Sequence, residues 1–244
     1  MVTGGRDGRC AWAPMALLIN GARKLQAELG ASVRWGDRSA TLAIPAFEPN
    51  GDPRALQIAA LGQSHEGFFE ELAADTSLPP HVVLLFVDQE TADPRAIGHG
   101  YVLTEATPVM TAGLADRVPS VNPLIVEEAE LADADELVAL DPRSAVYRFD
   151  DFSSYVLVAR VDGRIVGKTQ LMVAIAGIGY LTDMVVDAEF RRRGIGRALV
   201  AAAEALARSD GCDAMLLAST EIGRQLYTNV GYDTVSWLHS YVRS

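Results

Sequence analysis

The sequence predicts an α/β (α+β) fold with a mixed central sheet, spread over two domains. Three observations carry this prediction. Short apolar runs of strand length alternate with stretches of helical periodicity along the whole chain. With 244 residues and 49% hydrophobic composition, the chain can fill one or two cores. Residues 112–123 mix Pro, Gly and Asp without periodicity, which places a domain boundary near residue 120.

The elements follow in order. Residues 1–9 are rich in Gly and charge and read as a tail. Residues 16–29 read as a helix: Leu17, Leu18, Ala22, Leu25 and Leu29 recur at helical spacing and Gly30 can end it. A hairpin spans 32–47 around Gly36-Asp37, with Val33 and Trp35 before the turn and Leu42 and Ile44 after it. Two short helical patterns, 53–61 and 65–74, come next, and strands at 81–88 and 97–104 flank a polar turn through Asp93-Pro94. The second half opens with a strand at 124–128 and a helix at 132–140, followed by an irregular or helical stretch through Tyr147 and Phe152. A hairpin of 155–161 and 165–173 turns at Asp162-Gly163. A strand at 179–186 leads to a helix at 195–208 that stops at Asp210-Gly211, where Gly can take the left-handed conformation. A buried strand at 214–217 precedes a helix at 221–230, capped by Ser219 or Thr220 and ended by Gly231, and 232–242 supplies the last strands. The halves echo each other. Thr41-Leu-Ala-Ile and Pro123-Leu-Ile-Val each precede a helical pattern, and Leu85-Phe-Val-Asp and Val158-Ala-Arg-Val-Asp each lead through a turn to another strand. This is either a duplication or the ordinary likeness of α/β segments.

Charge narrows the function. Lys and Arg total 21 against 32 Asp and Glu, a net of −11, and both halves are acidic: 9 basic and 14 acidic groups in 1–120, 12 and 18 in 121–244. Such a chain is repelled by nucleic acid and by anionic lipid, so neither partner is expected. Two cysteines make no disulfide framework, and the four histidines show no zinc-type spacing, so no metal is expected. The apolar stretch at 11–19 is interrupted by Pro14 and is shorter than the roughly 20 residues a bilayer requires. A cytoplasmic protein, monomeric or homodimeric, is the expectation.

One segment defies the acidic balance: Asp183-Met-Val-Val-Asp-Ala-Glu-Phe-Arg-Arg-Arg-Gly-Ile-Gly-Arg-Ala-Leu199. A strand runs into a loop holding Gly194 and Gly196, and a helix begins at once. Glycine permits a tight turn and close approach to a ligand. A helix start offers unpaired N–H groups and the positive end of its dipole, and flanking arginines add bidentate phosphate donors. Leu199 sits where a dinucleotide fingerprint would need a third glycine, and no Gly-Lys-Ser/Thr follows. A basic patch for nucleic acid or a solvated face would leave the glycines unexplained.

The spacing Arg191-x-x-Gly194-x-Gly196 at a strand-to-helix junction resembles the acetyl-CoA signature of the Gcn5-related N-acetyltransferase (GNAT) superfamily. Leu226-Tyr227 followed by Gly231-Tyr232 resembles that family's second landmark, a helix ending in Leu-Tyr-x-x-x-Gly-aromatic. The order of elements from Leu124 onward matches the family, so the likeness covers about half the chain. It implies a central sheet of the GNAT type, with 121–244 an acetyl-CoA-binding catalytic domain. Residues 1–120 would be a degenerate GNAT-like or accessory domain, as in tandem members, because they lack the signature.

The resemblance also implies roles. Backbone N–H groups from Arg192 through Arg193, Gly194, Ile195 and Gly196 to Arg197 would grip the pyrophosphate, with Arg191 beside them. Met184, Val185 and Val186 would pair with the pantetheine arm, and the N–H of Val185 or Val186 would stabilise the thioester oxygen as it gains charge. Tyr227 matches the family's acid, a phenol near the leaving sulfur; its other reading is a packing aromatic beside Ile222, Leu226 and Val230. Asp183 is the candidate base, with an ion pair or solvated strand residue as the alternative. Tyr180 stands where some relatives carry a carboxylate. Asp150, Asp151 and His239 fall in segments that line the acceptor side in relatives, and Asp187, Glu189 and Asp210 read as solvated loop charges. The implied activity is acetyl transfer from acetyl-CoA to a primary amine, of a small molecule in the first reading. A protein or peptide N-acetyltransferase and a non-catalytic acyl-CoA sensor are the alternatives.

Overall fold

The computed structural model describes residues 13–45, 52–61, 67–115, 117, 124–147, 154–175 and 177–243; the tail at 1–9 falls outside them. The described chain divides into two compact units. The first takes residues up to Met110 together with Ala218–Glu221 and the strand after Thr234; the second takes Thr111–Leu217 and Ile222–Asp233. A division at residue 120 differs from this in assigning the last strand to the second half.

In the first unit, helix α1 (Ala13–Leu29) precedes strands β1 (Ser32–Trp35) and β2 (Ser39–Ala43), the expected hairpin. The helical pattern at 53–61 is corrected. Pro53–Ala55 forms one 3-10 turn, capped by the Asp52 carboxylate on the Arg54 N–H, and Leu56–Ala60 is strand β3. β3 pairs antiparallel with β2 and parallel with β4 (Val82–Val87), so sheet pairing on both edges overrides the helical preference of Leu, Gln and Ala. Helix α2 (Phe68–Ala74) lies between β3 and β4 in sequence.

The strand expected at 97–104 also starts later. Asp93 accepts from the Arg95 N–H at 2.9 Å and Pro94 occupies the first turn, so Pro94–Gly98 becomes a short helix, α3, and strand β5 runs Tyr101–Gly113. Alternation along β3 and β4 divides their side chains between two clusters. Ile58, Val83 and Leu85 join Phe68, Phe69, Tyr101 and Tyr241, while Ala59 joins Leu18, Ala22, Ala40 and Leu42. The final strand, β11 (Asp233–Arg243), pairs antiparallel with β4 from Trp237↔Val87 to Val242↔Val82. The residue-level echo between the halves is not kept. β2 leads to another antiparallel strand rather than a helix, and β4 pairs with β3 and β11.

The second unit holds strand β6 (Val126–Glu128), helix α4 (Ala134–Leu140), a 3-10 segment Pro142–Val146 and the hairpin β7 (Ser154–Val161) and β8 (Arg164–Ile175). Strand β9 (Ile178–Val186), helix α5 (Ile195–Ser209), strand β10 (Ala214–Ala218) and helix α6 (Glu221–Asn229) follow. Its sheet runs β10-β9-β8-β7-β6, antiparallel except for the β10/β9 pair. Ala129, Leu137, Tyr147, Val156, Val158 and Ile165 form one buried cluster. Helix α5 packs closely on the sheet: a methyl group at Gly167 would meet Ile195 at 2.8 Å, and one at Gly179 would meet Ala207 at 3.0 Å. Gly211, at φ +77°, ends α5 as expected.

Candidate active site

The site is built where β9 loses a neighbour. β9 pairs with β10 from Ile178↔Ala214 to Tyr180↔Leu216, and the register ends there. Residues 181–186 continue on β8 alone, through Leu181↔Leu171, Thr182↔Gln170, Val185↔Lys168 and Val186↔Gly167. Between Thr182 and Val185 the strand carries one extra residue, and Asp183 takes φ +51°. This is a β-bulge, a device that re-aims side chains and increases twist. Aspartate tolerates the left-handed region better than most residues. Met184, Val185 and Val186 thus lie on a strand edge that β10 does not cover.

β9 ends in a 3-10 turn, Ala188–Phe190, and then the arginine loop. Asp187 is not a solvated charge: it caps the Glu189 N–H at 3.0 Å and pairs with Arg164 at 2.5 Å. The guanidinium groups of Arg164 and Arg193 lie 5.6 and 5.1 Å from the Phe190 ring centroid, and Arg191 donates to the Val186 carbonyl at 3.1 Å. Arg192 at φ +63° and Gly194 at φ +84° fold the loop back onto the helix. Gly194 is the N-cap of α5 and supplies no side-chain cap, and the first turn of α5 has no acidic residue. Among the described residues no carboxylate pairs with Arg191, Arg192, Arg193 or Arg197, all of them exposed. The result is a helix start without a side-chain cap, flanked by four exposed arginines that pair with no carboxylate among the described residues.

The two glycines have different jobs. A Cβ on Gly194 would meet nothing within 4 Å, so its need is conformational. A Cβ on Gly196 would come within 2.9 Å of Leu226 Cδ2, so its need is close packing of α5 against α6.

That packing positions Tyr227, the neighbour of Leu226. Tyr227 is 7% exposed, its hydroxyl lies 3.7 Å from the Met184 sulfur, and its ring centroid is 5.7 Å from that of Tyr232. Burial pushes the Tyr227 phenol well above its ordinary pKa. The end of α6 is held by a clamp the sequence did not advertise. Tyr232 N–H donates to the Tyr227 carbonyl at 2.9 Å, and Gly231 takes φ +84°. Arg117 donates to the carbonyls of Val230 and Gly231, lies 5.2 Å from the Tyr232 ring and pairs with buried Glu204 of α5 at 3.0 Å. Burial and the Glu204 carboxylate keep the Tyr232 phenol protonated.

Asp183 turns toward a second group of polar side chains. Tyr147 donates to Asp183 Oδ2 at 3.4 Å, and Thr182 Oγ1 lies 3.4 Å from Oδ1. Lys168 of β8, fully buried, donates to the Tyr147 hydroxyl and pairs with Asp141 at 2.9 Å. Asp141 also holds Arg143 at 3.0 Å. Burial raises the Asp141 pKa, but the hydrogen bonds from Arg143 and Lys168 outweigh it and hold the carboxyl at about 2. Burial lowers the Lys168 pKa against the pull of Asp141. Sequence reasoning misses Lys168 and Tyr147 because they read as an ordinary strand position and a position within an irregular or helical stretch.

The remaining candidates are placed as follows. His239 lies in the core of the first unit with Nδ1 3.1 Å from the Tyr241 hydroxyl, and burial lowers its pKa. Asp210 is the C-cap of α5 and binds the Tyr155 hydroxyl, whose pKa rises to about 12 through that contact and burial. Tyr180 is buried on β9. Asp150 and Asp151 lie outside the described residues. Among the described residues no group of three or more His, Cys, Asp or Glu could hold a metal, and no helix is long and apolar enough to cross a membrane.

The site is thus a strand edge followed by a helix start that lacks a side-chain cap, flanked by exposed arginines, with a buried phenol at the edge. Residues 125–232 match the model of the acetyltransferase (GNAT) family. A glucosamine 6-phosphate N-acetyltransferase of Trypanosoma brucei brucei is 34% identical over 76 residues, which are 29% of this chain and 52% of the relative. The chain thus spans about half the length of that curated relative. Among solved structures, a GCN5-related N-acetyltransferase from Kribbella flavida is similar with a TM-score of 0.64 at 14% identity, over 91% of this chain and 95% of the other. A tandem GNAT protein from the clavulanic acid biosynthesis pathway is similar with a TM-score of 0.60 at 17% identity, over 91% and 87%. The GNAT-type fold therefore extends beyond the matched half.

Proposed function

We propose that the chain is an acetyl-CoA-dependent N-acetyltransferase acting on a primary amine of a small molecule. The uncovered edge of β9 at 181–186, running straight into the arginine loop, carries this reading. An extended arm bearing amides can add to a strand edge through backbone hydrogen bonds. A diphosphate needs N–H donors and cations at the end of that edge. Met184, Val185 and Val186 hold the pantetheine arm; the N–H groups of Arg192 to Arg197 and the four arginines hold the diphosphate. The T. brucei relative is named for N-acetyl transfer to glucosamine 6-phosphate, which supports a small-molecule amine as the acceptor class.

Acetyl-CoA supplies an acyl group activated on sulfur. The neutral amine attacks the acyl carbon, the carbon–sulfur bond breaks, and the backbone N–H of Val185 or Val186 stabilises the charge that gathers on the acyl oxygen. Asp183 takes a proton from the amine nitrogen. Tyr227 gives its phenolic proton to the leaving sulfur. Burial keeps Tyr227 protonated, and the same dry surroundings raise the affinity of a thiolate for that proton.

Purified protein incubated with acetyl-CoA and a panel of small amines is expected to release free thiol only when a suitable amine is present. Calorimetric binding of acetyl-CoA with no thiol release from any amine would make the chain a binding module. Release with peptide N-termini alone would move the acceptor to proteins.

A further inference from the structure

We propose that Lys168 is a positioning residue for Asp183, acting through the hydroxyl of Tyr147; this rests on the reading of Asp183 as the base. The hydrogen bonds all point one way. Lys168 Nζ has only donors, so the Tyr147 oxygen must accept from it, and the phenolic proton is left to point at Asp183 Oδ2, 3.4 Å away. Asp141 anchors the ammonium at 2.9 Å from the other side. Three elements meet here: the 3-10 segment carrying Asp141 and Tyr147 at its two ends, β8 with Lys168, and the bulge of β9 with Asp183.

A buried ammonium is costly, and a lone structural role would be served as well by an apolar side chain. What the ammonium adds is direction and charge. It polarises the phenol, strengthens the bond to Asp183 and orients a carboxylate that the bulge has turned away from ordinary strand geometry. The charged groups that act on Asp183 are Lys168 from β8 and Arg143 from the 3-10 segment, both of them also held by Asp141, with the Thr182 hydroxyl on its own strand. In acetyl transfer, the relay holds the carboxylate aimed to receive the amine proton.

The test reads the Asp183 carboxyl carbon-13 resonance at one neutral pH in the wild type, Lys168→Met, Tyr147→Phe and the double variant. Removing either link should move that resonance, because Tyr147→Phe takes away the hydroxyl that donates to Asp183 and Lys168→Met takes away the donor that orients that hydroxyl. The double variant should move it no further than the larger single one. In turnover assays kcat should fall at least about threefold in each variant while KM for the amine stays nearly unchanged. Tyr147→Phe leaves the Lys168–Asp141 pair intact, so it remains informative if Lys168→Met fails to fold. An unmoved Asp183 resonance in both variants, or independent and additive changes, overturns the proposal. If the resonance moves but no amine supports turnover, the link through Tyr147 stands and the acetyl-transfer reading falls.

Discussion

The hydroxyl of Tyr227 lies 3.7 Å from the sulfur of Met184, joining helix α6 to the one stretch of β9 that β10 does not pair with. The two residues are 43 positions apart in sequence, and Tyr227 reaches across only because α6 packs tightly on α5. The contact puts a buried phenol beside the backbone where the thioester is proposed to sit.

Replacing Tyr227 with Phe keeps the ring contact with Tyr232 and removes only the hydroxyl and its proton. Turnover should fall at least about tenfold while the affinity for CoA barely changes. Steady-state kinetics together with calorimetry separate the two quantities, and unchanged turnover would remove Tyr227 from the mechanism.

Gly196→Ala should lower stability by about 1–2 kcal/mol, since the added methyl group must displace Leu226 or shift α6. Turnover should fall with it, because Tyr227 adjoins Leu226. Adding Leu226→Ala makes room for the methyl group, so the double variant should regain Tyr227 placement and part of the lost rate. Thermal melts and kinetics on the pair test the packing account.

Much of this arrangement could be read from the sequence, and the exceptions have physical reasons. The turn glycines at 163, 194, 211 and 231 all carry positive φ, so punctuation marked the second half well. Leu56-Gln-Ile-Ala-Ala failed as a helix because partners far along the chain decide a strand. Ile97 failed as a strand because the Asp93 cap and Pro94 start a helical turn just before it. At the site, Arg191 to Arg197 and Tyr227 announce themselves by spacing. The bulge at Asp183, the buried Lys168 and the Arg117 clamp do not, since each depends on register or on a contact between distant segments.

Arg192 and Arg197 are exposed and make no ion pair among the described residues, so their charge is available to a phosphate ligand. Arg192→Ala and Arg197→Ala should each weaken CoA binding by about fivefold to tenfold at low salt, with less difference from the wild type as ionic strength rises. Calorimetry at two salt concentrations reads this. Gly194→Glu, which puts bulk and negative charge at the helix start, should abolish binding.

The Asp141 carboxyl titrates at about 2 in the folded chain, against an ordinary value of 3.8, because its hydrogen bonds to Arg143 and Lys168 outweigh its burial. Its native pKa is depressed, so its stabilisation is present above about pH 4 and is lost as pH falls through 2. The shift corresponds to about 2 kcal/mol. Asp141→Asn should cost at least that much at pH 7, since it also leaves the Lys168 ammonium without its carboxylate, and should flatten the acid-unfolding curve between pH 4 and 2. Denaturant melts across that range provide the check.

β11 comes last in sequence, yet it completes the sheet of the first unit by pairing with β4. During synthesis, β4 therefore leaves the ribosome with an unpaired edge and must wait for residues 233–243. Residues 111–233 can close before it. A protein cut after residue 120 would keep that bare edge permanently, a template for association with other chains. Residues up to Met110 are thus made well before Asp233–Arg243, the strand that finishes their sheet.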